Sequence, residues 1–304
     1  MQFEIPADFR ARYETLADQP EKFFEALLKP LPRSCRVNTL KAEVAQVQKR
    51  FADYDLPFRP CEWYEHAFVS DDRRLGATLE HFIGAIYIQD LTSMLPPLLV
   101  RRELEHATSV LDACAAPGSK TTQLAALMQN RGTIVANDLE YDRIRALKFN
   151  LEKTGALNTV VTNYDLRNFP ATQFDIVLLD APCTSEGTMR KDRKLFTWWS
   201  AKRIPASANR QRQLITKAFD LLRTGGTMIY STCTFAPEEN EETVQHLLDN
   251  RPAELLPIEI PGLKMMPGLT SWQGKDFDQR LSLTRRIFPH FHDTGGFFLA
   301  KVRK

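Results

Sequence analysis

No two cysteines in this chain stand at C-x-x-C spacing, and the five present, at positions 35, 61, 114, 183 and 233, are odd in number and far apart. That distribution argues against a disulfide framework or a zinc site, so no metal centre is expected. The opening MQFEIPADF lacks a basic region followed by an apolar one, and no apolar run approaches the roughly 18 residues of a membrane span. Neither a signal peptide nor a membrane partner is expected, and the reducing cytoplasm is the expected compartment. Neither sign of charge dominates, since 40 Lys and Arg stand against 38 Asp and Glu; bulk charge therefore identifies no partner. The G-x-G-x-x-G fingerprint of dinucleotide binding is missing, as are internal repeats and low-complexity tracts.

What is present is apolar material for more than one core: 304 residues, 43% of them hydrophobic, predict two domains. Residues 7–29 hold two short amphipathic helical patterns, which Pro30 and Pro32 interrupt before the strand-like SCRVNTL at 34–40. A helix over 41–54, aromatic strand formers over 58–70 and a helical stretch over 91–104 complete a small α+β module, residues 1–105. From residue 106 to 304 short apolar strands alternate with amphipathic helices at about 118–129, 141–154, 208–223 and 238–250, closing on the strand FFLAKVRK. The fold class expected is α/β, a doubly wound, largely parallel sheet. Residues 1–100 hold 12 basic and 15 acidic side chains, so any footprint for a polyanion falls mainly in the second part.

Ligands of such sheets bind beyond the carboxyl ends of the strands, where the strand order reverses. The first of these strands ends in Asp112 and runs into Cys114, Ala115, Ala116, Pro117, Gly118, Ser119 and Lys120, small residues that let backbone approach a ligand before a helix starts. The second ends at Asp138, placed to accept hydrogen bonds from ribose hydroxyls, and the third at Asp165, placed near an adenine edge. A single acid is more often a solvated strand end or a cap. Acids at three successive exits, Asp138, Asp165 and Asp180, point to a nucleoside cofactor, and S-adenosylmethionine, with no pyrophosphate to cradle, fits best.

The fourth strand ends in Asp180-Ala181-Pro182-Cys183 and the fifth in Ser231-Thr232-Cys233-Thr234. If these strands are neighbours, about 4.8 Å apart, both thiols can face one substrate. One free cysteine is usually a small buried hydrophobe, but two at adjacent exits are harder to explain that way. Carbon 5 of cytosine is a poor nucleophile, and a thiolate adding at carbon 6 turns it into an enamine. An acid beside nitrogen 3 must meet the charge that accumulates there, and Asp180 is the candidate. This chemistry alone does not rank Cys183 and Cys233.

DACAAPGSKTTQLA at 112–125, DAPCTSEG at 180–187, STCTFAPEENE at 231–241 and RVNTLK at 36–41 together resemble the Nol/Nop/Sun family of RNA cytosine-5 methyltransferases. The motifs stand in family order, and the similarity extends to HDTGGFFLAKVRK. The resemblance implies a Rossmann-like class I methyltransferase domain preceded by an RNA-binding-like module. It implies S-adenosylmethionine at the 114–120 loop with Asp138, Arg143 and Asp165, and Lys120 and Asp180 close to both cofactor and cytosine. It makes Cys233 the nucleophile and Cys183 the group that assists release, the reverse of DNA cytosine methyltransferases, whose attacking cysteine follows a proline. There are two departures. Ser185 stands where relatives carry glycine after the first cysteine, and Lys304 follows directly on the last predicted strand, without the C-terminal RNA-binding extension of several bacterial members.

The expected partner is RNA, tRNA or rRNA, bound by a monomer. Arg190, Lys191, Arg193 and Lys194, followed by Trp198 and Trp199 and then by Lys202, Arg203, Arg210 and Arg212, form the expected RNA surface. A lesser patch is Lys29, Arg33, Arg36 and Lys41. The rival readings are a catalytically inactive RNA-binding or ribosome-assembly factor on the same fold, and a DNA cytosine methyltransferase. Two retained cysteines oppose the first, and the absence of a long target-recognition insertion opposes the second.

Overall fold

A computed structural model describes residues 4–304. Helices α1 (Ala7–Tyr13) and α2 (Pro20–Leu28) come first. The small module follows, with β1 (Arg33–Val37), α3 (Val44–Asp53), β2 (Arg59–Cys61), β3 (Tyr64–Ser70), α4 (Leu79–Phe82) and β4 (Ile86–Ile88). Its four-stranded antiparallel sheet runs β2-β3-β1-β4. The helix expected over 91–104 is broken: only α5 (Leu95–Leu98) is α-helical, between 3-10 turns at Thr92–Met94 and Glu103–Glu105. Pro96 and Pro97 supply no N–H, which is tolerated in a first turn but not in a helix interior.

The second part holds β5 (Ser109–Asp112), α6 (Ser119–Leu127), β6 (Thr133–Asn137), α7 (Tyr141–Thr154), β7 (Thr159–Thr162) and β8 (Phe174–Asp180). It continues through α8 (Leu195–Trp198), α9 (Ile204–Asp220), β9 (Leu222–Thr232) and α10 (Glu241–Asn250). Short strands β10 (Glu254–Leu256), β11 (Met266–Pro267), β12 (Ser271–Trp272), β13 (Lys275–Asp276) and β14 (Arg285–Ile287) precede α11 (Pro289–His292) and β15 (Phe297–Arg303). The large sheet runs β11-β14-β15-β9-β8-β5-β6-β7, with β10 added beside β15. Strands β5 to β9 are mutually parallel, whereas β15, β14, β11 and β10 extend the sheet antiparallel. The order reverses between β5 and β8, which places the switch point at the exits of those two strands.

Alternation along the central strands separates two cores. Leu111, Val177, Leu179, Met228 and Tyr230 pack on one face, and Val110, Ile176, Leu178 and Ile229 on the other. The first face is covered partly by the start of the chain: Phe9, Tyr13, Phe23, Phe24 and Leu27 are buried there with Phe235 and Phe288. Helices α1 and α2 thus belong by packing to the large sheet, although they precede the small one. The small sheet is joined to it by Arg36, which is buried and donates to Gln89 Oε1 and to Thr122 Oγ1 of α6. Lys41 Nζ donates to the carbonyls of Ile83 and Lys153. Both cations were expected to face RNA; both are instead spent on holding the two sheets together.

Candidate active site

The loop after β5 turns at Gly118, whose φ of +103° suits glycine and whose added Cβ would stand 3.0 Å from Leu147. Asp138 holds this loop: one carboxylate oxygen accepts the Ala116 N–H at 3.0 Å and the other the Glu140 N–H at 3.0 Å. Arg143 bonds the Ala116 carbonyl and lies 3.6 Å from Asp138, so it braces the same turn. Asp165 caps the 3-10 turn Leu166–Asn168 and pairs with Arg167. Asn137 was not singled out from the sequence, yet its side chain bonds the backbone of Ala113 and Tyr164 and the Thr162 hydroxyl, tying three strand exits together.

Asp112 carries a more direct sign of a ligand. It is fully buried, accepts the Thr121 hydroxyl at 2.6 Å on one oxygen, and has no protein partner for the other. Burial raises its pKa to about 6. A buried carboxylate oxygen left without a donor is costly, and a cationic or N–H group on a bound molecule would satisfy it. An α-ammonium does so. With the glycine turn and Asp138, the residues fit a nucleoside that also carries an amino-acid moiety.

The parallel pairing of β8 with β9 sets Asp180 opposite Ser231. Ser231 Oγ donates to Asp180 at 2.7 Å, and Lys120 Nζ donates to its second oxygen at 2.6 Å. Burial works against the charge on Lys120, but Asp180 more than offsets it, so the ammonium is held above its ordinary pKa. Just beyond, the half-buried thiols of Cys183 and Cys233 meet with their sulfurs 3.4 Å apart. The Cys183 thiol is held well above its ordinary pKa, first by its contact with Cys233 and then by burial. Burial also pushes up the thiols of Cys114, Cys35 and Cys61.

A dense polar frame holds both thiol loops, and most of it was not foreseen. Glu186, fully buried, accepts from the Tyr13 hydroxyl, Trp199 Nε1 at 2.6 Å, Thr234 Oγ1 at 2.8 Å and the Phe235 N–H at 3.0 Å. Glu239 accepts the Thr184 N–H at 3.0 Å, the Thr184 hydroxyl at 2.5 Å and Gln211 Nε2 at 2.8 Å. Asn240 bonds Thr232 and Thr234, and Glu238 is clasped by Arg12 of α1. The buried pair Glu241–Arg286 closes the ring, with Arg286 also donating to the Phe235 carbonyl at 2.9 Å. The motif APEENE was legible as a helix start; that Glu239 and Asn240 bond the thiol loops directly, while Glu238 and Glu241 engage Arg12 and Arg286, was not. Ser185, in the family's glycine place, lies at φ +62°, the left-handed region that favours glycine, which accounts for the usual residue there.

Glu239 leads to a pH expectation. Burial raises its carboxyl to about 7 from an ordinary 4.5. Between those values the folded protein binds the proton more than the unfolded chain, so this group's contribution is fully present below about 4.5 and is lost as pH rises through 7. Glu239→Gln keeps acceptor and donor in place and removes the titration. Urea unfolding of that variant should lose less stability between pH 5.5 and 8 than the wild type, by on the order of 2 kcal/mol; identical losses would remove Glu239 as the source.

The expected RNA surface is corrected at Arg190. That side chain is buried, donating to the carbonyls of Lys29, Pro30 and Thr294 and to Asp293, so it cannot meet a phosphate. Trp199 is committed to Glu186, and Arg212 pairs with Glu242. Lys191, Lys194, Lys202, Arg203 and Arg210 remain exposed, and Trp198 is 63% exposed.

A doubly wound sheet with a glycine turn, acids at its strand exits and two thiols in contact defines a Rossmann-like methyltransferase fold of the two-cysteine type. The chain belongs to the family described as 16S rRNA methyltransferase RsmB/F, whose profile matches residues 99–303, and the N-terminal domain of 16S rRNA methyltransferase RsmF matches residues 5–91. Ribosomal RNA small subunit methyltransferase F of Vibrio cholerae serotype O1 (strain M66-2) is 39% identical over 310 residues, covering 99% of this chain and 64% of the relative. The protein of the same name from Serratia proteamaculans (strain 568) is 40% identical over 295 residues, covering 93% and 59%. The chain thus spans about three fifths of the length of these relatives. A methyltransferase homolog protein from Pyrococcus horikoshii superposes with a TM-score of 0.84 at 35% identity, covering 96% of this chain and 93% of that one. NSun6 from the same organism shares the fold, with a TM-score of 0.82 at 23% identity over 98% of both chains.

Proposed function

We propose that this protein methylates carbon 5 of a cytosine in small-subunit ribosomal RNA, using S-adenosylmethionine and a covalent cysteine adduct. The observation that carries the reading is the pair Cys183 and Cys233, 3.4 Å apart beside the Lys120–Asp180 ion pair at the sheet's switch point. The names of the relatives favour ribosomal over transfer RNA. Both thiols and the cofactor loop come from one chain, which supports a monomer as the working unit, and free thiols suit the cytoplasm. The module within residues 1–105 is assigned to RNA contact and residues 106–304 to the methyl transfer. An inactive assembly factor would have no use for two aligned thiols.

Residues 114–120, Asp112, Asp138 and, at the adenine end, Asp165 would hold the cofactor, with Arg143 bracing the loop. When bound, S-adenosylmethionine supplies an electrophilic methyl group. The target base must first leave any stack to reach the thiols. Cys233, near the Lys120 ammonium, attacks carbon 6 as the thiolate; as electrons move into the ring nitrogen 3 takes up a proton from solvent, Asp180 accepts the resulting N–H, and the proton is given back after methylation. After methylation the carbon 5 proton passes to solvent and the bond from carbon 6 to sulfur breaks. Cys183, kept protonated, donates its S–H to the departing Cys233 sulfur and shares the charge that returns to it.

Asp138→Ala should weaken S-adenosylmethionine binding by about 1.5–3 kcal/mol through loss of a charged acceptor and of the brace on Ala116. Calorimetry on the RNA-free protein tests this, and equal affinity for wild type and variant would remove Asp138 from the site.

A further inference from the structure

Beside the reacting loops an open cleft of about 750 Å³ separates the small sheet from the segment that follows Cys183. One wall carries Arg33 and Arg73, the other Lys191. All three are exposed, and among the described residues none is within ion-pair distance of a carboxylate. Their neighbours differ: Arg74 is paired with Asp72, and Arg190 with Asp293. Two acids also line the cleft. One of them, Asp90, accepts from the Thr92 N–H and hydroxyl, so three cations face two acids, Asp71 and Asp90, in the lining. Pro30, Leu31, Pro32 and Ile88 add an apolar surface.

The cleft is anchored to the thiols. Its floor is Arg190, whose bonds to Lys29, Pro30 and Thr294 fix the linker after α2 against the turn before β15. Two residues on, the Gly296 N–H donates to the Gly187 carbonyl at 2.9 Å, and the Gly187 N–H donates to the Cys233 carbonyl at 2.8 Å. Gly187 can be nothing larger, because an added Cβ would stand 2.3 Å from the Gly296 oxygen. Arg190, in the lining of the cleft, is thus linked through the Thr294–Gly296 turn to Gly187, which bonds the Cys233 carbonyl.

We propose that this cleft binds the nucleotides flanking the target cytosine as a single RNA strand, with Arg33, Arg73 and Lys191 on phosphates and the proline-rich linker against bases. The inference rests on the RNA-methylating function proposed above. The volume lies in the range that encloses a drug-sized ligand, so it takes roughly one or two nucleotides but not a duplex. Exposed cations without a carboxylate at ion-pair distance are those free to neutralise phosphates and release counterions, and the one bond here, from Arg33 to the Arg73 carbonyl at 3.3 Å, leaves both charges unneutralised.

The test is the triple variant Arg33→Gln, Arg73→Gln, Lys191→Gln, measured with the charge-conserving variant Arg33→Lys, Arg73→Lys as its control. Binding of a single-stranded RNA oligonucleotide is followed by fluorescence anisotropy across a potassium chloride series. Because each neutralised phosphate contributes a slope of about 0.7 on single strands, the triple variant should lose about 2 in the slope of log affinity against log salt. The lysine variant should keep the wild-type slope. KM for RNA should rise at least tenfold with kcat changed little, and affinity for S-adenosylmethionine should stay as in the wild type. An unchanged slope and KM in the triple variant overturns the cleft, whether a protein or nothing occupies it. Duplex competing as well as single strand overturns it too. If instead the wild type neither methylates RNA nor forms an adduct with 5-fluorocytidine RNA, the proposed function fails, whatever the cleft does.

Discussion

Cys233→Ala should abolish methylation and form no covalent complex with RNA, even with 5-fluorocytidine in place of cytidine. The fluorine blocks the final proton loss, so any enzyme still able to attack carbon 6 would be trapped; a variant without the nucleophile has nothing to trap. Cys183→Ala should fail at the other end of the cycle. Its attacking thiol is intact, but the sulfur that stood 3.4 Å away, ready to donate to the departing thiolate, is gone. Enzyme should accumulate as an adduct on ordinary RNA, seen as a ribonuclease-sensitive shift on a denaturing, reducing gel. Losing a nucleophile costs turnover by many orders of magnitude, so the contrast is one of presence against absence. An adduct with Cys233→Ala instead would exchange the two roles, and undiminished turnover in both variants would end the covalent mechanism.

Arg286→Met should lower stability by about 3–5 kcal/mol, because it leaves the fully buried Glu241 carboxylate without its partner. The loss should reach the chemistry, since Arg286 also holds the Phe235 carbonyl two residues beyond Cys233. Adding Glu241→Leu should recover much of the stability, as apolar groups replacing both partners of a buried pair are often neutral or better. It should not recover activity, because the Phe235 carbonyl then has lost its donor and only the Glu186 bond to the Phe235 N–H still fixes that turn. Urea denaturation of the two variants, with turnover measured in parallel, separates the effects. A single variant as stable as the wild type would mean that Glu241 becomes neutral or finds water.

What could be read from the sequence was what repeats locally. The strand exits at Asp112, Asp138, Asp180 and Cys233 follow apolar runs of strand length, and a parallel sheet buries such runs on both faces, so their ends were readable without a partner. Strands β10 to β14 were not, because two or three residues carry no periodicity and become strands only by pairing with β15, β14 or each other. The same limit applied to charge. Arg36, Arg190 and Arg286 look like surface cations in a row of letters; only the fold shows that carbonyls, hydroxyls or a carboxylate from distant segments enclose them. Glu186 and Glu239 stand beside the cysteines in sequence, and nothing local distinguishes a solvated acid from one that orders a loop.

The grip of α1 on the reacting loops has a consequence for synthesis. Tyr13 meets Glu186 across 173 positions, and Arg12 meets Glu238 across 226. Strand β9, which delivers Cys233, finds its second neighbour only when β15 has been made. Contacts of such long range form late and slowly. On the ribosome, then, the growing chain carries two ordinary, separated thiols, and the first helix waits for residues produced much later. The frame that holds the two thiol loops is therefore completed only after most of the chain has emerged.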